Sequence, residues 1–173
     1  VSWLDTYQVL EVARVAASGR IGVPSVRRVS TRAVDMSLTS GPAEVLLLWS
    51  QSTDAGLDVF AARLLADGGW PDDAGVRLTG ARGDQQRAIA RAVGNRYLLA
   101  FDSIDTVDGG RGAYLAELDF AQSPPLATVA EQVWSGTSGI FVRDVLQTST
   151  GTTLLATNHF ATAGTLSPST RSF

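Results

Sequence analysis

Asp102, Asp105 and Asp108, followed by Gly109-Gly110, form the densest group of carboxylates in this 173-residue chain. Oxygen ligands at short spacing on a glycine-containing loop suit Ca²⁺, a hard cation that takes about six to eight oxygens. The alternating ligands and distal glutamate of an EF-hand are absent. Asp102, Asp105 and Asp108 are therefore the candidate metal ligands, and Asp102 and Asp105 candidate binding residues, on what is otherwise a solvated hairpin loop. Asp67, Asp72 and Asp73 stand beside glycine and proline and read as turn residues.

Four tryptophans could supply a contact surface. Trp3 and Trp49 fall within apolar runs and are expected in a core. Trp70, in Gly68-Gly69-Trp70-Pro71, sits on a turn and is the exposed candidate for binding a protein or a glycan.

Nucleophilic catalysis finds little support. His159 is the only histidine. A serine triad needs a histidine held by a carboxylate beside the nucleophile, and no Gly-x-Ser-x-Gly elbow occurs. Ser135-Gly136-Thr137-Ser138-Gly139 reads as a turn linker. The chain has no cysteine, which removes disulfides and thiolate chemistry. Paired carboxylates for glycoside hydrolysis can come from distant positions, but no pair stands out. No catalytic residue is assigned.

The elements that would position these side chains come from a repeat. Val12-Ala13-Arg14-Val15-Ala16-Ala17-Ser18-Gly19 matches Ala61-Ala62-Arg63-Leu64-Leu65-Ala66-Asp67-Gly68 at an offset of 49. Arg27-Arg28-Val29-Ser30 matches Val76-Arg77-Leu78-Thr79 at the same offset. Leu46-Leu47-Leu48-Trp49 matches Leu98-Leu99-Ala100-Phe101 at an offset of 52. A more divergent copy starts at Ala113 and ends near Thr157. Trp3, Trp49, Phe101 and Thr157 mark the phase, with spacings of 46, 52 and 56.

Within the middle unit, four short segments are separated by turn residues: 59–65, 75–79, 86–93 and 97–101. Apolar runs of that length, bounded by glycine, asparagine and aspartate, indicate strands. About four strands per period of roughly 50 residues indicates a propeller blade. A competing α/β single domain follows from local spacing. Leu57, Phe60, Ala61, Leu64 and Leu65 fit a helix face, and Asp84 to Val93 before Gly94 fits a capped helix.

The stretch from Val59-Phe60-Ala61-Ala62-Arg63-Leu64 through Asp67-Gly68-Gly69 and Gly94-Asn95 to Tyr97-Leu98-Leu99-Ala100-Phe101-Asp102 resembles a repeat of large secreted bacterial proteins. That resemblance implies β-propeller-like domains and an extracellular or cell-envelope location, without a shared activity. Ser52-Thr53-Asp54-Ala55-Gly56 resembles the start of the Asp-box turn of sialidase-type propellers, but Asp58-Val59 stands where that motif has Thr-Trp. A plain turn is the expectation there.

The expected architecture is all-β: about three four-stranded antiparallel units, roughly 3–49, 49–101 and 101–157, within a repeat domain of residues 1–160. A Ser/Thr-rich tail or edge strand follows at 161–173. Three units do not close a single-chain propeller, which takes about four to eight blades, and the phase puts the first residues inside a unit. Other chain segments or other copies are expected to complete the ring. A net charge of −3 gives no reason to expect nucleic acid, and no apolar stretch reaches the ~18 residues of a membrane span. The expected function is a non-enzymatic interaction or assembly module with a protein or glycan partner. The alternatives are a fragment of a carbohydrate-active propeller hydrolase and a self-assembling structural subunit.

Overall fold

A computed structural model describes residues 2–4, 9–15, 21–105, 107, 109–122, 125, 130–136, 140–148 and 151–158. The chain is all-β over these residues. Its strands are β1 (Ser2–Leu4), β2 (Leu10–Val15), β3 (Ile21–Ser30), β4 (Ala33–Ser40), β5 (Glu44–Thr53), β6 (Gly56–Leu65) and β7 (Val76–Arg77). They continue as β8 (Asp84–Val93), β9 (Arg96–Ile104), β10 (Arg111–Leu118), β11 (Glu131–Gly136), β12 (Ile140–Thr148) and β13 (Gly151–Asn158). Among the described residues no helix is long and apolar enough to cross a membrane.

The strands form four antiparallel meanders: β1-β2-β3, β4-β5-β6-β7, β8-β9-β10-β11 and β12-β13. Each of the four segments expected in the middle sequence unit contains strand. They divide between two sheets, with β6 and β7 closing one and β8 and β9 opening the next. The two stretches with helical spacing, at Leu57–Leu65 and Asp84–Val93, are strands β6 and β8.

The reason lies in burial. β5 carries Leu46, Leu47, Leu48 and Trp49 in a row, all almost wholly buried. Side chains of a strand alternate between faces, so such a run requires a partner on each face. Leu46 and Leu48 join Val59 and Ala61 in a core shared with Ala88, Ala90, Leu99 and Phe101. Leu47 and Trp49 join Ala62 in a second core with Leu10 and Val12. β9 repeats the device: Ala100 turns away from the first core into a third, with Ala113, Val142 and Val145. The sheets thus pack face to face in series. A strand buried on both faces loses its polar/apolar alternation, and β6 then matches a helical period by accident. Each large apolar side chain so buried contributes about 1.5–3 kcal/mol.

The repeat phase is visible in side-chain contacts. Trp49 on β5 lies opposite Phe60 on β6 and stacks on it, with ring centroids 5.7 Å apart. Phe101 on β9 lies opposite Tyr114 on β10 and stacks on it at 5.4 Å. β4 contacts β8, and β8 contacts β12, so the first strands of three successive sheets adjoin. Each of these strands is bulged against its own second strand, at Ala33/Asp35, Gln86/Ile89 and Val142/Asp144.

Candidate functional site

Polar side chains join β4 to β8. Ser37 Oγ donates to the carbonyl of Ala88 at 2.7 Å, and Thr39 Oγ1 to that of Ala90 at 2.8 Å. Asp35 accepts the backbone N–H of Arg87 at 2.9 Å and that of Ser50 at 2.9 Å. These residues alternate along β4, as one face of a strand must. Further along, the Tyr97 hydroxyl on β9 donates to Glu44 on β5 at 3.1 Å. Burial and the Glu44 carboxylate both push that phenol above its ordinary pKa.

Arg87 occupies the β8 bulge with φ 53°, the left-handed region that non-glycine residues seldom adopt. Its guanidinium pairs with both oxygens of Asp102, Nε to Oδ1 at 3.1 Å and Nη2 to Oδ2. It also lies 4.1 Å from the Phe141 ring centre, a cation–π distance. Asp102 is 1% exposed. Burial pushes its carboxyl up to about 6, outweighing the opposing pull of Arg87.

This environment makes Asp102 part of the scaffold. Phe101 and Ser103 on β9, and Asp105 just past its end, line a cleft on the other face of the strand. Asp105 Oδ1 accepts the Val107 N–H at 2.7 Å in the β9–β10 turn. Asp102 and Asp105 therefore do not converge, and Asp108 lies outside the described residues, as do His159 and residues 161–173. Among the described residues no three Asp, Glu, His or Cys side chains are grouped to hold a metal ion. Trp70 is half-buried against the Trp49 core, and the Arg27 guanidinium lies 5.1 Å from its ring centre. Ser52–Gly56 is a hairpin turn in which Thr53 Oγ1 accepts the Ala55 N–H at 3.3 Å, while Asp54 is exposed.

The cleft is the site that sequence reasoning missed. It encloses about 540 Å³, within the ~300–1,000 Å³ usual for small-molecule sites. The stacked Phe101 and Tyr114 rings form an aromatic part of its wall. The link from β7 to β8 bounds it with Leu78, Thr79 and Arg82, and β10 and β11 add Arg111 and Gln132. Gln85 is 1% exposed and lies in the lining. Its Nε2 donates to the carbonyls of Arg82 at 3.2 Å and Gly83 at 3.1 Å, while Oε1 has no partner among the described residues. The one sequence signal was a pair of glycine-flanked arginines, in Ala81-Arg82-Gly83 and Gly110-Arg111-Gly112.

No protein-family model, no curated protein and no solved structure matches this chain.

Proposed function

We propose that the chain is a non-enzymatic, extracellular or cell-envelope interaction module on a β-propeller-like scaffold, and that its partner is a glycan. The observation that carries the scaffold reading is the repetition of one arrangement in successive sheets. Trp49–Phe60 and Phe101–Tyr114 occupy corresponding strand positions, and bulged first strands β4, β8 and β12 adjoin in order. Face-to-face packing through separate cores is what blades set around an axis require. The resemblance to repeats of secreted proteins supports a location outside the cytoplasm.

Binding rather than turnover is supported by how the two most deeply buried carboxylates are engaged. Asp58 takes Arg77 at 2.5 Å and hydroxyl donors from Thr53 and Thr79. Asp102 takes Arg87. Neither is placed as a free acid or base at a cleft. A glycan partner is supported by the cleft of the third sheet, where aromatic rings, amides and hydroxyls share one surface.

A glycan array probed with the purified chain tests the reading, followed by mass spectrometry of the retained glycans. Retention of intact glycans is expected. Shortened products would overturn the non-enzymatic reading, and failure to retain any glycan would overturn the glycan partner.

A further inference from the structure

We propose that the cleft between the β7–β8 link and strands β8–β11 is a site for an acidic sugar. Arg82 and Arg111 receive the carboxylate, and Tyr114, Ser103 and Gln85 receive the ring and its hydroxyls. The inference rests on the glycan-binding reading above and names the class of glycan.

The charge is the first argument. Several arginines of the sheets have carboxylates of their own: Arg63 with Asp72, Arg77 with Asp58, Arg91 with Asp144 and Arg96 with Glu117. Arg82 and Arg111 have none within ion-pair distance among the described residues, and both line the cleft. Asp105 is the one acidic residue in that lining, so the described lining carries two positive charges and one negative. A guanidinium binds a carboxylate through paired N–H donors in one plane. Two such groups with no carboxylate partner among the described residues favour an anionic ligand.

The second argument separates a sugar from a bare anion. Gln85 Oε1 is an acceptor without a partner among the described residues, at a buried position. Buried polar atoms are rarely left unpaired; the amide lies beneath the cleft wall, beside Ser103 Oγ, and a small shift on binding would bring Oε1 to a ligand hydroxyl. Ser103 and Gln132 add further polar groups to the same wall. The half-buried Tyr114 ring, backed by Phe101, offers an apolar surface for the C–H face of a pyranose. Gly112 lets two of these side chains close on the backbone: a Cβ there would meet Gln132 Nε2 at 2.6 Å and the Tyr114 ring at 2.8 Å.

Calorimetric titration of the chain tests this, with galacturonate, digalacturonate, galactose and acetate as probes. The uronates are expected to bind about tenfold or more tighter than galactose, the usual scale of a charge-assisted hydrogen bond. Arg111→Gln and Arg82→Gln are each expected to remove that preference, with melting curves checking the fold. Ser103→Ala is expected to weaken every sugar several-fold and leave acetate unchanged. Digalacturonate binding tighter than galacturonate would support a polymer segment as the ligand, and equal binding would support a single terminal residue. Galactose binding as well as galacturonate would overturn the acidic class and leave the glycan module standing. Acetate matching galacturonate would overturn the sugar, and no binding by any uronate would overturn the site.

Discussion

The backbone N–H of Arg87 donates to Asp35 Oδ2 at 2.9 Å, so a carboxylate on one sheet holds the bulge of the next. The other oxygen of Asp35 takes the N–H of Ser50 on its own sheet. A short acidic side chain thereby accepts two backbone donors that the bulges of β4 and β8 release from their ladders. Beyond it, Ser37 and Thr39 give protons to the carbonyls of Ala88 and Ala90.

Asp35→Ala removes both acceptors and leaves two backbone donors short of partners. Each such loss costs about 1–3 kcal/mol where water cannot replace the partner. Urea denaturation is expected to show a loss of roughly 2–6 kcal/mol on that basis. Asp54→Ala, on an exposed turn, is expected to stay within about 0.5 kcal/mol of the parent. Equal midpoints for the two variants would show that the seam does not hold the sheets together.

Arg87 and Asp102 form a buried pair whose members fail separately. Arg87→Met leaves the Asp102 carboxylate buried without its cation, a change that costs about 3–5 kcal/mol. Replacing both, as Arg87→Met with Asp102→Leu, removes the charge problem and is expected to recover most of that loss. A double-mutant cycle by chemical denaturation reads the coupling. Additive single losses would contradict the pairing seen at Nε and Oδ1.

The same carboxyl makes stability depend on pH in an unusual direction. Asp102 holds its proton up to about pH 6 in the folded chain, against an ordinary value near 3.8. Between those values the folded state binds the extra proton, so lowering the pH through that window stabilises it. The increment is full below about pH 4, shrinks as pH rises, and is gone above about pH 6. Its size is roughly 3 kcal/mol. Asp102→Asn cannot titrate, so the stability difference between parent and variant is expected to grow in the parent's favour from pH 7 to pH 4. A difference that is flat across this range would place the proton elsewhere.

Much of the strand layout was legible in the sequence, because turns are local. Asp67-Gly68-Gly69 and Gly94-Asn95 fall between strands where turn residues are needed, and Trp49 and Phe101 hold matching positions. The grouping of strands into sheets was not legible. The break at 78–83 depends on which partners β7 and β8 find, and no local period records that. β6 was ambiguous because Val59 and Ala61 enter one core and Ala62 another. The cleft escaped for the same reason: Arg82 and Arg111 are 29 positions apart in the chain and share a wall only through sheet pairing. Asp102 was a metal candidate by type and spacing; in the fold its carboxylate pairs with Arg87, while Asp105 lines the cleft just past the end of β9.

Gly75 offers the sharpest test of the packing around Trp49. Its φ is +76°, a left-handed conformation, and a Cβ there would run into the far edge of the Trp49 indole and lie 3.4 Å from the Ala61 carbonyl oxygen. Gly94 is also left-handed, at +61°, but a Cβ on it would meet nothing within 4 Å. Gly94→Ala therefore isolates the backbone cost, about 1–2 kcal/mol for an L-residue in this region. Gly75→Ala adds overpacking against a fully buried ring that stacks on Phe60, commonly about 1–3 kcal/mol more. Urea midpoints of the two variants are expected to separate by that second amount. Trimming the ring with Trp49→Leu in the Gly75→Ala background is expected to make the added methyl less costly than it is beside the indole. If the methyl costs the same in both backgrounds, the contact between Gly75 and Trp49 does not limit the packing of this core.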